Sequence, residues 1–151
     1  MKLLFWTIGL ACASALFAGM LASFFLTGSV PILGSWIRLE LTHNPGIAFG
    51  VELPAGIQTA AIVGAFIAVF LMAVRGKQSA RERVAFGMIL GGALANLLDR
   101  LPDGLVTDFV AVRGFSVFNL ADTWITLGAA LLLLDLVKFR GRSLAQFTFH
   151  R

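Results

Sequence analysis

Polar side chains interrupt an otherwise apolar region between residues 91 and 110, GGALANLLDRLPDGLVTDFV. Asn96, Asp99 and Arg100 are spaced i, i+3, i+4, so a helix would present all three on one face, with Gly92 one turn earlier on that face. Charged groups on an apolar helix point into the bundle rather than into lipid. A local Asp99–Arg100 pair that neutralises itself at the helix end would explain the same spacing without any chemistry, so both interpretations stay open at this point.

A second polar cluster opens the last apolar segment, in Phe118-Asn119-Leu120-Ala121-Asp122-Thr123. Asn119 is a favourable N-cap residue, and Asp122, three residues later, is a first-turn acid that the helix dipole stabilises. Capping therefore explains both residues. It does not explain Asp108, which lies fourteen residues before Asp122 beside another apolar stretch.

Two carboxyl groups placed close together would be able to hydrolyse an amide bond. Such groups do not readily ionise together, so the pair shares one proton near neutral pH. The ionised member takes a proton from the attacking water while the protonated member donates to the carbonyl oxygen, and neither a metal nor a covalent nucleophile is required. The turn signal Pro102-Asp103-Gly104 makes it possible for the chain to bring Asp108 back towards Asp122.

The composition indicates an integral membrane protein. Of the 151 residues, 58% are hydrophobic and only 13% are charged, and the mean hydropathy is +0.89. The net charge of +4 comes from dispersed basic residues in short segments between apolar runs, as expected for loops that set membrane topology. The sequence therefore gives no reason to expect a nucleic acid partner.

Four apolar segments predict four transmembrane helices within a single domain that covers residues 1–151, since a bilayer core needs about 20 helical residues. The third apolar run ends at Leu98 and is short, so its span is extended through Asp99 and Arg100, which places both near the membrane surface. The predicted spans are residues 3–26, 57–74, 84–101 and 120–137. The first span begins like a signal peptide, but its apolar run exceeds the usual signal core, so we expect it to be retained.

The distribution of Lys and Arg predicts the orientation of these spans. Nine basic residues fall on one side of the membrane and three on the other, which places both termini and the loop at 75–83 in the cytoplasm. Six of the eight acidic residues then lie on or near the outer face. Any polar chemistry is therefore predicted at that face.

Of the two segments on the outer face, the first contains a pattern typical of a strand, and the second begins with a turn that can send the chain back toward the membrane. Trp36-Ile37-Arg38-Leu39-Glu40-Leu41 alternates between apolar and polar residues, which indicates a strand. The segment Leu105 to Val110 follows the turn at 102–104. Next to the first strand, Asn44-Pro45-Gly46 by itself favours a turn.

Other catalytic chemistries lack the residues that they need. His43 and His150 are predicted on opposite sides of the membrane and no HExxH motif is present, so a zinc site is not expected. Neither histidine lies in a span where it could activate a serine. Cys12 is the only cysteine, so it forms no intrachain disulfide and is expected to be a small buried apolar residue. The sequence gives no indication of a cofactor.

Three stretches, taken in order, resemble the lipoprotein signal peptidases, also called signal peptidase II. NPGIAFG resembles the Asn-x-Gly motif of that family. GGALANLLDR with the following VTDF resembles its Gly-Asn-Asp-Arg block and first catalytic aspartate, and FNLADTWITLG resembles the block that contains the second. Ordered motifs of this kind are more specific than any one of them alone.

The resemblance implies an aspartyl endopeptidase of the bacterial inner membrane that removes the signal peptide from diacylglyceryl-modified prolipoproteins, cutting before the lipidated cysteine. Asp108 and Asp122 would be the catalytic dyad, Asp99 would orient Arg100, and Ala121 would support the site. The substrate would be bound by Asn44, Gly46, Gly92, Asn96, Arg100 and Asn119. The implied fold is an all-α membrane protein of four transmembrane helices with a small extracytoplasmic β-rich cradle, acting as a monomer among membrane lipids.

The chain departs from the family pattern in three places, one of which is a segment between Asp108 and Asp122 that is shorter than is common. Members usually carry an Asp and a Lys in the first span, whereas residues 15–20 here contain neither, and Ala95 stands where a Gly often precedes the motif asparagine. Two other functions fit the same acids: a small membrane carrier that uses them as an ion relay, and an inactive relative that binds prolipoproteins. A carrier would need polar residues deeper in several spans, and spans one and two are nearly free of them.

Overall fold

The computed structural model describes residues 1–46 and 55–148, so residues 47–50 of the NPGIAFG stretch and His150 lie outside the described residues. The described part contains four helices and one four-stranded sheet. The helices are α1 (Lys2–Phe25), α2 (Ala55–Arg75), α3 (Ala80–Asp99) and α4 (Leu120–Thr148). The strands are β1 (Val30–Leu33), β2 (Ile37–Asn44), β3 (Val106–Val112) and β4 (Val117–Phe118).

Each predicted span overlaps one helix, and α4 continues to Thr148, beyond the predicted end at 137. By length and composition, two of the described segments are able to cross a membrane, namely Lys2–Phe25 in α1 and Leu120–Val137 in α4. α2 contains a shorter apolar stretch, Thr59–Arg75. The crossing of the membrane by all four helices stays a prediction.

Small residues allow α3 to pack closely between α1 and α4. A Cβ added at Gly91 would lie 2.7 Å from the carbonyl oxygen of Ile8 in α1, and one added at Gly92 would collide with the carbonyl oxygen of Ala121 in α4. Buried alanines continue the same contact, and Cys12 packs among them as the small apolar residue that the sequence predicts. α3 is thereby fixed against the start of α4.

Both ends of α3 are defined by local interactions. At its start, Ser79 accepts a hydrogen bond from the backbone N–H of Glu82, and the Glu82 carboxylate accepts one from the backbone N–H of Ser79, which forms a capping box. At its end, Arg100 is the C-cap residue, so residues 100 and 101 lie beyond the helix and not within it as the predicted span has them. Gly104, with φ of 82°, then completes the predicted turn, because this left-handed conformation strains residues that carry a Cβ.

The sheet is antiparallel throughout, in the order β1-β2-β3-β4. In its central pair Thr42 lies opposite Asp108 and Asn44 lies opposite Val106, with a bulge between Leu39 and Thr42 that shifts the register. β2 therefore begins one residue later than the predicted strand and runs three residues further, to Asn44. Thr42 shares a face of the sheet with Asp108 because the two residues are paired, and Asn44, two residues further along β2, lies on that same face. The side chains of Asn44 and Asp108 therefore point to the same side of the sheet.

Candidate active site

Asp108 lies in the middle of β3 and is 1% exposed. Its two carboxylate oxygens accept hydrogen bonds from different elements: Asn44 Nδ2 at the end of β2 donates to Oδ2 at 2.9 Å, and Asn119 Nδ2 at the start of α4 donates to Oδ1 at 2.9 Å. The Asn44 contact follows from the register of β2 and β3. Asp108 is thus fixed by two amides that come from either side of it in space.

Asn119 caps α4, as the sequence predicts. Its Oδ1 accepts the backbone N–H of Asp122 at 3.0 Å, while Asp122 Oδ2 accepts the backbone N–H of Asn119 at 3.2 Å. The capping arrangement uses the amide oxygen of Asn119 and one carboxylate oxygen of Asp122. The amide nitrogen of Asn119 is left to reach Asp108, and the other carboxylate oxygen of Asp122 is left to meet α3.

Asn96 in α3 completes a connection between the two aspartates. Its Nδ2 donates to Asp122 Oδ1 at 2.8 Å, and its Oδ1 accepts a hydrogen bond from Asn119 Nδ2 at 3.0 Å. Asp108 and Asp122 are therefore linked through two asparagines. The close contact of Gly92 with the backbone of Ala121 brings Asn96, one turn further along α3, within reach of Asp122.

The orientation of the amide groups is fixed by backbone donors. Asn44 Oδ1 accepts the backbone N–H of Gly46 at 2.8 Å, just as Asn119 Oδ1 accepts that of Asp122. Each amide oxygen is thereby occupied, so each amide must present its N–H₂ group to Asp108. The hydrogen bonds favour the ionised form of this carboxyl, whereas its burial opposes that form.

Burial is the larger of these effects and raises the pKa of Asp108 to about 6, with a further upward contribution from the charge of Asp122. The hydrogen bonds from Asn44 and Asn119 and the positive charge of Arg100 act in the opposite direction. A carboxyl with such a pKa exchanges its proton close to neutral pH. It is suited to donate a proton to a reacting group.

Arg100 connects α3 to the segment after β2. Its two terminal nitrogens donate to the carbonyl oxygens of Asn96 at 3.2 Å and of Gly46 at 2.6 Å, while Nε is buried and has no hydrogen-bond partner among residues 1–46 and 55–148. Asp99 does not form the expected pair with it: the ion pairs of the described residues join Arg38 to Glu40 and Arg81 to Asp135. Arg100 is held by backbone oxygens instead.

Asp99 faces β3. One of its carboxylate oxygens accepts the backbone N–H of Thr107 at 2.6 Å, and the other accepts the Thr107 hydroxyl at 3.4 Å. Thr107 immediately precedes Asp108, so Asp99 fixes the strand that carries Asp108. Thr107 is not predictable from the sequence as this partner, because no local signal shows which backbone N–H a helix-terminal carboxylate will meet.

A cleft of about 580 Å³ opens beside these groups. Its polar wall contains five of the residues that the sequence singles out, and its apolar wall comes from α2, α3, α4 and the β3–β4 turn. The polar residues are Asn44, Asn96, Arg100, Asp108 and Asp122. Phe115 and Phe118, which the sequence analysis does not single out, line the cleft and contact each other edge to face with centroids 6.3 Å apart. A cleft with acids at one side and an apolar wall fits an extended apolar chain that carries a polar reacting group.

The remaining predicted site residues support this cleft from outside it. Asn119 is 5% exposed and lies behind the aspartates, Gly46 is buried and contributes its carbonyl oxygen, and Gly92 and Ala121 form the contact between α3 and α4. Within residues 1–46 and 55–148, no three side chains of His, Cys, Asp or Glu are arranged to bind a metal ion. The chemistry available to the described site is that of two carboxyl groups and their amide partners.

Residues 10–138 match the signal peptidase (SPase) II family. Curated relatives named lipoprotein signal peptidase include those of Streptomyces coelicolor, 39% identical over 118 residues (74% of this chain, 57% of the relative), and Moorella thermoacetica, 40% identical over 112 residues (72% and 74%). The chain thus spans less than three fifths of the Streptomyces coelicolor relative, but about three quarters of the Moorella one.

The fold also has a counterpart among solved structures. A bacterial membrane enzyme determined by the in meso method at 2.3 Å resolution superimposes with a TM-score of 0.76 at 24% identity, over 87% of this chain and 88% of the other. At this identity the likeness concerns the fold alone.

Proposed function

This chain belongs to the signal peptidase II family, and we propose that it removes the signal peptide from diacylglyceryl-modified prolipoproteins as an intramembrane aspartyl endopeptidase, cutting before the lipidated cysteine. The observation that carries the proposal is that Asp108 and Asp122 line one cleft and are linked through Asn119 and Asn96. Intramembrane carboxylates are costly, by roughly 2.5–3.5 kcal/mol each on insertion scales. Two of them at one cleft support a catalytic use.

In the proposed mechanism the two aspartates have different roles. Asp108, whose buried carboxyl has the raised pKa, holds the proton, and Asp122 is ionised. Asp122 takes a proton from a water molecule as the water oxygen bonds to the scissile carbonyl carbon, while Asp108 donates its proton to the carbonyl oxygen. When the tetrahedral intermediate collapses, Asp108 regains a proton from that oxygen and Asp122 gives its proton to the leaving nitrogen. Both groups return to their starting states.

The surrounding residues would bind the substrate and its lipid. Asn44, Asn96 and Arg100 supply N–H groups near the acids, and the apolar wall of the cleft suits the signal peptide core. Apolar side chains exposed along α1 and α4 suit the acyl region of a bilayer. We propose four membrane-crossing helices in the bacterial inner membrane, with both termini in the cytoplasm, the cleft near the outer face, and a single chain as the active unit.

The decisive experiment is cleavage by the purified chain in lipid vesicles. Wild type, Asp108→Asn, Asp122→Asn and the control Asp135→Asn, which alters the ion pair with Arg81 outside the site, are incubated with one prolipoprotein in its diacylglyceryl-modified and unmodified forms. We expect wild type and Asp135→Asn to cleave only the modified form and both dyad variants to be inactive although folded. Substantial turnover by Asp122→Asn would exclude the dyad mechanism, and no cleavage by folded wild type would exclude the peptidase.

A further inference from the structure

An exposed apolar hairpin lies at the outer edge of the sheet. It consists of residues 30–36, which form β1 and the turn to β2, and we call it the apolar hairpin. All four residues of β1 are exposed, and Ile32, Leu33 and Trp36 are 60%, 62% and 62% exposed. No charged residue occurs between Leu26 and Ile37. The hairpin therefore presents a continuous apolar surface.

An apolar edge strand of this kind needs a partner. β1 pairs only with β2 in the described sheet, so its other edge offers free backbone N–H and C=O groups beside apolar side chains. Edge strands in water are usually protected by charges or prolines, because an unprotected apolar edge promotes aggregation. β1 has Pro31, but its other three residues are Val30, Ile32 and Leu33. Something apolar must cover this surface.

The position of the hairpin directly after α1 indicates that a lipid bilayer covers this apolar surface. Only residues 26–29 separate the hairpin from α1, whose last residues Phe24 and Phe25 are 76% and 77% exposed. Four residues span at most about 14 Å. Since α1 is long and apolar enough to cross a membrane, the hairpin begins close to where α1 leaves the hydrocarbon. Its apolar surface continues the lipid-facing surface of that helix.

Trp36 of the hairpin and Arg113, which follows β3, suit the polar layer of a bilayer. The guanidinium of Arg113 lies 5.7 Å from the Trp36 ring centroid, and the Arg113 backbone N–H donates to the Trp36 carbonyl oxygen at 2.9 Å. Tryptophan concentrates at membrane interfaces because its ring is largely apolar and its N–H is polar. Arg38 is paired with Glu40 at 2.7 Å, whereas Arg113 has no carboxylate partner among residues 1–46 and 55–148. Arg113 is therefore available to a lipid phosphate.

We propose that the apolar hairpin inserts into the outer interfacial layer of a phospholipid bilayer, with Trp36 and Arg113 at the depth of the headgroups. The proposal depends on α1 crossing the membrane and is independent of peptidase activity. Because β1, β2 and β3 are hydrogen-bonded in sequence, the insertion also fixes the depth of the strand that carries Asp108. The sheet is then anchored at both sides, by α1 and by the hairpin.

Spin labels test this depth directly. Single cysteines at Ser35 in the hairpin, Leu10 in α1 and Lys77 in the α2–α3 loop are introduced into a Cys12→Ala protein, since Cys12 is the only native cysteine. Leu10 and Lys77 are exposed and serve as lipid and water references. The labelled proteins are placed in phosphatidylcholine vesicles with and without phosphatidylglycerol, and the collision rates of each label with oxygen and with a neutral nickel chelate are measured.

We expect the ratio of oxygen to nickel collisions at Ser35 to exceed that at Lys77 several-fold and to lie below that at Leu10. Introducing Ile32→Ser with Trp36→Ser should lower the Ser35 ratio to the Lys77 value and leave the Leu10 ratio unchanged, which also shows that α1 stays inserted. A Ser35 ratio equal to that of Lys77 in the unmodified hairpin would overturn the proposal. Strong dipolar broadening between Ser35 labels would also overturn it, because a second copy would then cover β1.

Discussion

Asn119 donates a side-chain hydrogen bond to Asp108 at 2.9 Å, and both residues are almost completely buried. The same asparagine caps α4 through its amide oxygen and backbone N–H, both bonded to Asp122. One residue thus starts a helix and sets the positions of two acids that belong to different elements. Many residues are able to cap a helix, but a cap that also donates two side-chain hydrogen bonds, here to Asp108 and Asn96, requires the N–H₂ group of an amide.

Replacing Asn119 by Ser should separate these two roles. Serine retains an acceptor for the Asp122 N–H but has no donor that reaches Asp108 and Asn96, so α4 should remain capped within about 1 kcal/mol. Losing the hydrogen bonds that position Asp108 and Asn96 should displace these groups from the reacting bond, so kcat/KM should fall about ten- to a hundredfold. Cleavage assays and thermal unfolding in detergent measure the two effects. An equal loss of activity and of folded protein would show that the residue only caps the helix.

The pH dependence of cleavage should reveal the proton on Asp108. The protonated form is the donor and exists below its pKa, so kcat/KM should fall as pH rises through about 6. Asn44 stabilises the ionised form, and Asn44→Leu should therefore raise the pKa and move this alkaline limb to higher pH. His43→Gln is the matched control, because it changes the residue next to Asn44 in β2 and leaves the hydrogen bond to Asp108 in place. A limb that moves with His43→Gln and not with Asn44→Leu would assign the titration to the imidazole.

Tight helix packing, rather than any polar contact, sets the distance between Asn96 and Asp122. A Cβ at Gly92 would meet the backbone of Ala121, which is unable to move aside as a flexible side chain would. Gly92→Ala should therefore lower the free energy of unfolding by about 1–3 kcal/mol and reduce cleavage by separating α3 from α4. At Gly64 in α2 a Cβ meets nothing within 4 Å, so Gly64→Ala should be neutral or slightly stabilising. Equal thermal midpoints for the two variants would contradict this account.

Some of this arrangement is predictable from local sequence. Continuous apolar runs locate the helix ends within a few residues, except that α4 continues from 137 to Thr148. Asn119 with Asp122 predicts the cap of α4, because both partners lie within one turn. The end of β2 is less predictable. The alternation that predicts the strand ends before His43, and only the pairing with β3 shows that the strand continues to Asn44.

Contacts between distant residues are the part that local pattern does not supply. Asn44 and Asp108 are 64 positions apart, and their hydrogen bond depends on strand register. The resemblance to the signal peptidase II family brings the two residues into one site but says nothing of this bond. Asp99 shows how far sequence neighbours predict contacts. It is expected to orient Arg100, which follows it in the sequence, whereas its hydrogen-bond partner in the structure is Thr107.

That partner leads to a specific expectation for Asp99. If Asp99 positions Asp108 through the Thr107 N–H, Asp99→Asn should retain much of the kcat because its amide oxygen still accepts this bond, whereas Asp99→Leu should lose most of it. If Asp99 acted by attracting Arg100, both variants would lack the charge and would be impaired alike. Asp103→Leu provides the control, since Asp103 is exposed and accepts only the Leu105 N–H in the adjoining turn. We would compare kcat and KM for the three variants and verify their folding by thermal unfolding. The result shows whether Asp99 acts by positioning β3 or by attracting Arg100.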